Sequence, residues 1–167
     1  MRKQTGFSLI ELLIVVAIIL VIAAIAIPNL LRSRIAANEA SAVGSLRSIN
    51  SAMITYVSTY PTLGYPYYLS NLGPGTSGPC LASPSNACLL DDVLGAASPG
   101  GGIDTPNPKS GYYFFAYTVY STPIPVFYWS SADPISAKTG TRHFYSDASG
   151  AIRYNTTTSA TSADAPL

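Results

Sequence analysis

The pattern of apolar and polar positions divides the chain into stretches of different character. Residues 7–27 are apolar throughout, apart from Ser8 and Glu11. Twenty-one residues in a helix rise about 30 Å, which spans the hydrocarbon core of a bilayer. A helix is expected there because only a helix satisfies its own backbone groups in lipid. Beyond it, Leu31, Ile35, Ala42, Leu46, Ile49, Met53, Tyr56 and Tyr60 recur at three-and-four spacing, with Glu39 filling the one gap. Arg32, Arg34, Asn38, Ser41, Ser45, Arg47 and Ser48 lie opposite. Residues 28–60 therefore read as an amphipathic continuation of the helix. Pro28, at the junction, removes one hydrogen bond and crowds the carbonyl of Ala24. The helix is predicted to loosen at residues 24–28 and to continue beyond them. Gly44 and the Ser/Thr content of residues 51–59 weaken the pattern, and Pro61 stops it by disfavouring helical geometry at Tyr60. One helix over residues 7–60 would be about 80 Å long.

From residue 61 the periodicity fades. Residues 61–110 are rich in Pro, Gly, Ser and Tyr and read as a loop region of the kind that carries surface identity. A short helical turn is predicted at residues 91–94, before the glycine-rich run at residues 99–102. Residues 112–120 and 124–130 have strand composition, with Pro125 placing the start of the second at an edge or bend. Asp133-Pro134 and Lys138-Thr139-Gly140 mark turns. Residues 142–146 and 151–154 flank Asp147-Ala148-Ser149-Gly150, a compact hairpin signal. Residues 111–155 should form an antiparallel sheet of about four strands laid on the helix. The fold class is α+β: a long N-terminal helical spine, membrane-spanning in its first half, packed on a C-terminal sheet. Residues 156–167 are polar and low in complexity, and read as a flexible tail. Their hydroxyls are candidate O-glycan acceptors, and Asn155-Thr156-Thr157 has the form of an N-glycosylation acceptor.

Charge and chemistry narrow the functional classes. Charged residues are only 10% of the chain, and no basic patch dense enough for nucleic acid is present. The two cysteines, Cys80 and Cys88, lie beyond the apolar segment and so on its exported side, where a bridge is favoured over free thiols. Their spacing is too long for a redox CxxC motif, and no second ligand pair exists. No metal site and no cofactor is predicted. The acids of the mature exported part are scattered, although Asp133 and Asp147 could approach one another near the hairpin. The single histidine, His143, sits in a strand pattern, and no nucleophile, metal-hydrolase or phosphate-loop motif occurs. The tyrosine and phenylalanine cluster of residues 112–120 reads as sheet packing. The expectation is a non-enzymatic protein.

The N-terminus poses one question. Met1-Arg2-Lys3-Gln4-Thr5-Gly6 is short and basic, so that end should stay cytoplasmic. An ordinary export signal would be cut after its apolar core, where Ala24 and Ala26 offer small residues. Cleavage between Gly6 and Phe7 would instead retain the apolar run as an anchor. Glu11 lies a turn inside that run, where a carboxylate is costly and is by default a functional hypothesis. It could snorkel, be protonated, or pair with a cation.

Gly6-Phe7-Ser8-Leu9-Ile10-Glu11-Leu12-Leu13, behind a short basic leader, closely resembles the N-terminal motif of the type IV pilin superfamily. The resemblance covers roughly residues 1–60 and is architectural beyond them. It implies that residues 1–6 are a leader removed by a prepilin peptidase after Gly6, and that Phe7 is then N-methylated. Glu11 would pair with the Phe7 amine, of its own chain or of the next subunit, and so set the register of packed helices. Pro28 stands where filaments of the family loosen the helix. The implied function is a structural subunit that polymerises through its apolar helix into a bacterial type IV pilus, with adhesion, twitching motility or DNA uptake as roles of the filament. The implied partners are other pilin subunits, the prepilin peptidase and the inner-membrane assembly machinery. The implied course is from single-pass inner-membrane precursor to extracellular filament. Residues 140–153 also look somewhat like the sheet of the G-type pseudopilins of type II secretion, whose filament is a short periplasmic pseudopilus. Those relatives bind calcium in a loop near this place, but the characteristic loop sequence is missing here. A single-span anchored enzyme or receptor is the remaining alternative. The long loop region and a disulfide favour the pilus.

Overall fold

The computed structural model describes residues 7–75, 79–95, 107–119 and 124–167. The leader and the glycine-rich run at 99–102 lie outside them. The chain divides into two units, Met1–Arg34 and Ile35–Leu167, and helix α1 (Leu9–Thr59) contributes to both. In the first unit no described residue is buried. Pro28 lies inside α1, as the continuing periodicity predicts.

In the second unit α1 buries one face. Ala42, Val43, Leu46, Ile49, Ala52, Met53 and Tyr56 form it, which matches the predicted stripe from Ala42 to Tyr56; Leu31 is exposed, and Ser45, expected on the opposite face, is buried. At the hydroxyl-rich end of the helix the hydroxyls bond back along it. Ser48 donates to the carbonyl of Gly44, Thr55 to Ser51, Ser58 to Ile54 and Thr59 to Thr55. Such bonds satisfy the hydroxyls within the helix at a slight cost to its stability, so the packed apolar face is what holds this end. The helix stops at Thr59, with Pro61 just beyond.

The loop region supplies core of its own. A 3₁₀ turn, Leu69–Leu72, buries Leu69 and Leu72, and Leu90 and Leu94 join them. Residues 87–90 run alongside it through Ala87 N–H to Asn71 O, Cys88 N–H to Gly73 O, and Leu89 and Leu90 N–H to Leu72 O. Cys80 and Cys88 are disulfide-bonded.

The sheet has five strands, where about four were predicted. Strands β1 (Asn107–Lys109), β2 (Tyr112–Val119), β3 (Phe127–Pro134), β4 (His143–Asp147) and β5 (Ile152–Asn155) follow in antiparallel order. The addition is β1, whose three residues are too few to show alternation. Pro108, which lacks an amide donor, is tolerated there because β1 is an edge. Strand β3 also runs through Asp133 and Pro134, paired with Tyr113 and Tyr112, before the turn begins. The inner face carries Tyr112, Phe114, Ala116, Tyr128, Ala132, Phe144 and Ile152, all in the core cluster with the α1 face. The Asp147–Gly150 turn closes as the sequence predicts, with Ser149 N–H on the Asp147 carboxylate and Gly150 at φ 74°.

Residues 156–167 have a defined course, where composition suggested a flexible tail. Tyr154 N–H donates to Ala165 O and Leu167 N–H to Ile152 O. The side chain of Asp164 accepts from Thr161 N–H, the Thr161 hydroxyl and the Asn155 amide. Ala160 is buried. The segment thereby covers the β5 edge, which would otherwise expose unpaired backbone groups.

Candidate assembly segment and head platform

The first candidate site is the start of α1. Ser8 precedes the helix and Glu11 lies in its first turn. The Ser8 N–H donates to Glu11 Oε2 at 2.9 Å. Ser-x-x-Glu at a helix start is the spacing of a capping box, in which the glutamate reaches back to the N-cap amide. A carboxylate in the first turn also complements the helix dipole. Glu11 is therefore held close to the chain position that follows Phe7. Phe7 itself is exposed, and Gly6 lies outside the described residues.

The helical surface that follows is uniformly apolar and uncovered. Leu9, Ile10, Leu12, Leu13, Ile14 and Val15 are all exposed, and the pattern continues to Leu31. Each such side chain loses about 1.5–3 kcal/mol by staying in water instead of being buried. The segment thus requires an apolar environment, either lipid tails or other apolar helices. Its length and composition suffice to cross a membrane. This is the one chemical capacity of the first unit: a long greasy rod with a carboxylate near its tip.

The second candidate site is the platform that joins α1 to the sheet. Glu39, noted in the sequence only as a gap in the stripe, is 5% exposed. Its Oε1 accepts from Thr141 N–H at 3.0 Å and from the Thr141 hydroxyl at 2.9 Å. Its Oε2 accepts from Arg142 Nε at 2.7 Å and lies 2.7 Å from Nη2. Burial by itself pushes the Glu39 carboxyl up, but the bonds from Thr141 and the Arg142 guanidinium outweigh it and hold the group below its ordinary 4.5. The guanidinium sits 5.8 Å from the ring centre of Phe144 and 5.6 Å from that of Tyr154. Asn38 adds an amide bond to the Thr139 carbonyl. Gly140 lies against the Tyr112 ring so closely that a β-carbon there would come within 2.1 Å of the phenol oxygen. The loop between β3 and β4 is thereby clamped to one turn of α1.

Three turns further along α1, Asn50 does the same for the middle of the sheet. Its amide donates to the Ser146 hydroxyl at 2.6 Å and its carbonyl accepts from Tyr128 at 3.3 Å. Burial pushes the Tyr128 phenol up to about 12, so the hydroxyl stays a donor. Neither Glu39 nor Asn50 was foreseen as a fastening. For Glu39 the available signal was a polar residue placed on an otherwise apolar stripe.

The remaining sequence-derived residues are placed as follows. Asp133 and Asp147 do not meet. Asp133 pairs instead with His143, whose Nδ1 is 2.5 Å from Asp133 Oδ1. Among the described residues no cluster of three metal-ligating side chains occurs. Asp91 accepts from Leu94 N–H within the predicted turn at 91–94 and is ion-paired with Lys109 on β1. The Cys80–Cys88 loop is tied to α1 by the Tyr56 hydroxyl, which donates to the Pro84 carbonyl at 2.8 Å.

Comparison with known proteins covers only part of the chain. Residues 1–27 match the family model described as the prokaryotic N-terminal methylation motif. The chain is 40% identical over 65 residues to the type II secretion system core protein G of Vibrio cholerae, covering 37% of this chain and 44% of that one. It is 62% identical over 39 residues to the type IV wide pilus major component PilA4 of Thermus thermophilus, covering 23% and 30%. The core protein G of Aeromonas hydrophila is 31% identical over 64 residues, covering 36% and 45%. The chain thus spans less than half the length of each of these relatives. No solved structure matches it.

Proposed function

We propose that this chain, whose N-terminal segment is that of the type IV pilin superfamily, is the repeating subunit of a bacterial type IV pilus. The observation that carries the reading is the exposed apolar helix with Glu11 folded back on the Ser8 amide. A prepilin peptidase would cut after Gly6, leaving the amine of Phe7 as a cation beside that carboxylate. In the inner membrane the helix rests in lipid. In the filament its partner is the same helix of other subunits, and the pairing of Glu11 with a Phe7 amine fixes the register between them. Lipid and neighbouring helices are equally apolar, so transfer between them leaves the hydrophobic term nearly unchanged. Pairing and close packing then decide the direction. Pro28, unable to donate a hydrogen bond, is where α1 can loosen on packing.

The head is a structural and recognition module, not a catalyst. Its disulfide-closed loop and tyrosine-rich surface suit a filament exposed outside the cell, where a bridge persists. The similarity to the type II secretion core protein G favours a second reading, a pseudopilin whose filament stays in the periplasm. Location separates the two. Filaments sheared from cells and analysed by mass spectrometry should contain the chain, beginning at methylated Phe7. Retention of the processed chain in the envelope would transfer the reading to the pseudopilin. An unprocessed N-terminus, or one cut after the apolar run, would refute both.

A further inference from the structure

We propose that the tyrosine-lined cleft in the second unit is a binding site for a neutral carbohydrate. The cleft has a volume of about 710 Å³, and Tyr56, Thr62, Tyr65, Tyr67, Tyr68 and Asn71 contribute to its lining. That volume lies in the range of small-molecule sites and well above the needs of a trapped water. Among the described residues that line it none is charged. The composition is what a sugar ring asks for: flat aromatic faces for its C–H surfaces, and hydroxyl and amide groups for its hydroxyls. An uncharged wall gives no counter-charge to a phosphate, a carboxylate or an ammonium group, so ionic ligands are disfavoured by their own desolvation.

The walls are held in place before any ligand arrives. Tyr56 is fixed by its hydroxyl on Pro84 O. Tyr65 packs on Tyr128 with ring centres 4.6 Å apart, and Tyr67 meets Tyr68 edge to face at 4.7 Å. The Asn71 side chain accepts from Tyr68 N–H. Tyr65 N–H donates to Pro125 O, which joins the loop to the segment before β3, and the Thr118 hydroxyl bonds Pro66 O. A tyrosine ring with two torsions already fixed contributes contact area at low entropic cost.

The site is tested on the unassembled full chain. The protein is purified in phosphocholine detergent, which has no sugar headgroup. Cellobiose, lactose and di-N-acetylchitobiose are titrated, with saturation-transfer NMR and tyrosine fluorescence as readouts, and decaproline is a separate arm. At least one disaccharide should bind saturably with a Kd on the order of 1 mM. Tyr68→Ala should weaken that binding by about tenfold or more. Thr62→Trp, at an exposed position of the lining, should block the cleft without disturbing the core. Tyr117→Ala, on the opposite face of the sheet, should leave binding unchanged. The absence of saturable binding by all three sugars overturns the assignment, as does equal binding by the Thr62→Trp and wild-type proteins. Binding of decaproline without any sugar overturns it in favour of a proline-rich peptide.

Discussion

Replacing Glu39 by alanine tests whether the head is fastened to α1 by this carboxylate. Glu39 is almost completely buried and receives two bonds from Thr141 and a two-point contact from Arg142. Removing one partner of a fully buried pair costs about 3–5 kcal/mol. Here the Arg142 side chain is 38% exposed, so it can rehydrate while remaining over Phe144 and Tyr154. Discounting for that solvent access leaves about 2–3 kcal/mol. For a domain of this size that is a fall of roughly 8–12 °C in Tm, read by near-UV circular dichroism of the full chain in micelles. A double-mutant cycle with Arg142→Ala should give a coupling of about 1–2 kcal/mol. The pH dependence supplies a sign. The folded carboxyl lies below 4.5, so its contribution is complete above 4.5 and is lost as the pH falls through the lower folded value. The gap in Tm between wild type and variant should therefore be widest near neutrality and narrow in acid. A fall below about 3 °C, or a gap that does not change with pH, would show that Glu39 is not the fastening.

Three further outcomes follow from the same structure. Asn50→Ala strips the Ser146 and Tyr128 hydroxyls of a buried partner and should cost about 1–3 kcal/mol, measured by denaturant unfolding; a cost near zero contradicts the assigned network. Replacing Cys80 and Cys88 by serine opens a loop whose ends are 8 apart in sequence, and should cost roughly 2–3 kcal/mol in the chain-entropy account. That loss should appear as a lower Tm of the variant than of the oxidised wild type, and be absent when both proteins are compared under reduction. Glu11→Ala should leave the fold of the head and the membrane insertion intact while filament yield collapses, by quantitative shearing assay. Normal yield would remove the register role from Glu11.

Sequence alone determined the elements whose cause is local. The exposed apolar stretch of α1 follows from a run at 7–27 that only Ser8 and Glu11 interrupt, the buried face of α1 from three-and-four spacing, and the Asp147–Gly150 hairpin from turn chemistry. The motif at residues 6–13 needed no folding to be read, because it is a linear pattern of residue types. The Cys80–Cys88 bridge followed from there being one possible intrachain pair. Tertiary structure decided whatever depends on a partner distant in sequence. Strand β1 exists because β2 offers it an edge, and three residues with a central proline carry no strand signal of their own. The C-terminal residues look disordered by composition, yet they are held by the free backbone groups of β5. Glu39 read as a gap in an apolar stripe, and Asn50 carried no signal of its own, until the sheet brought Thr141, Arg142, Ser146 and Tyr128 to meet them. A buried polar group is costly unless paired, and its pairing becomes visible only when both halves of the pair are in place.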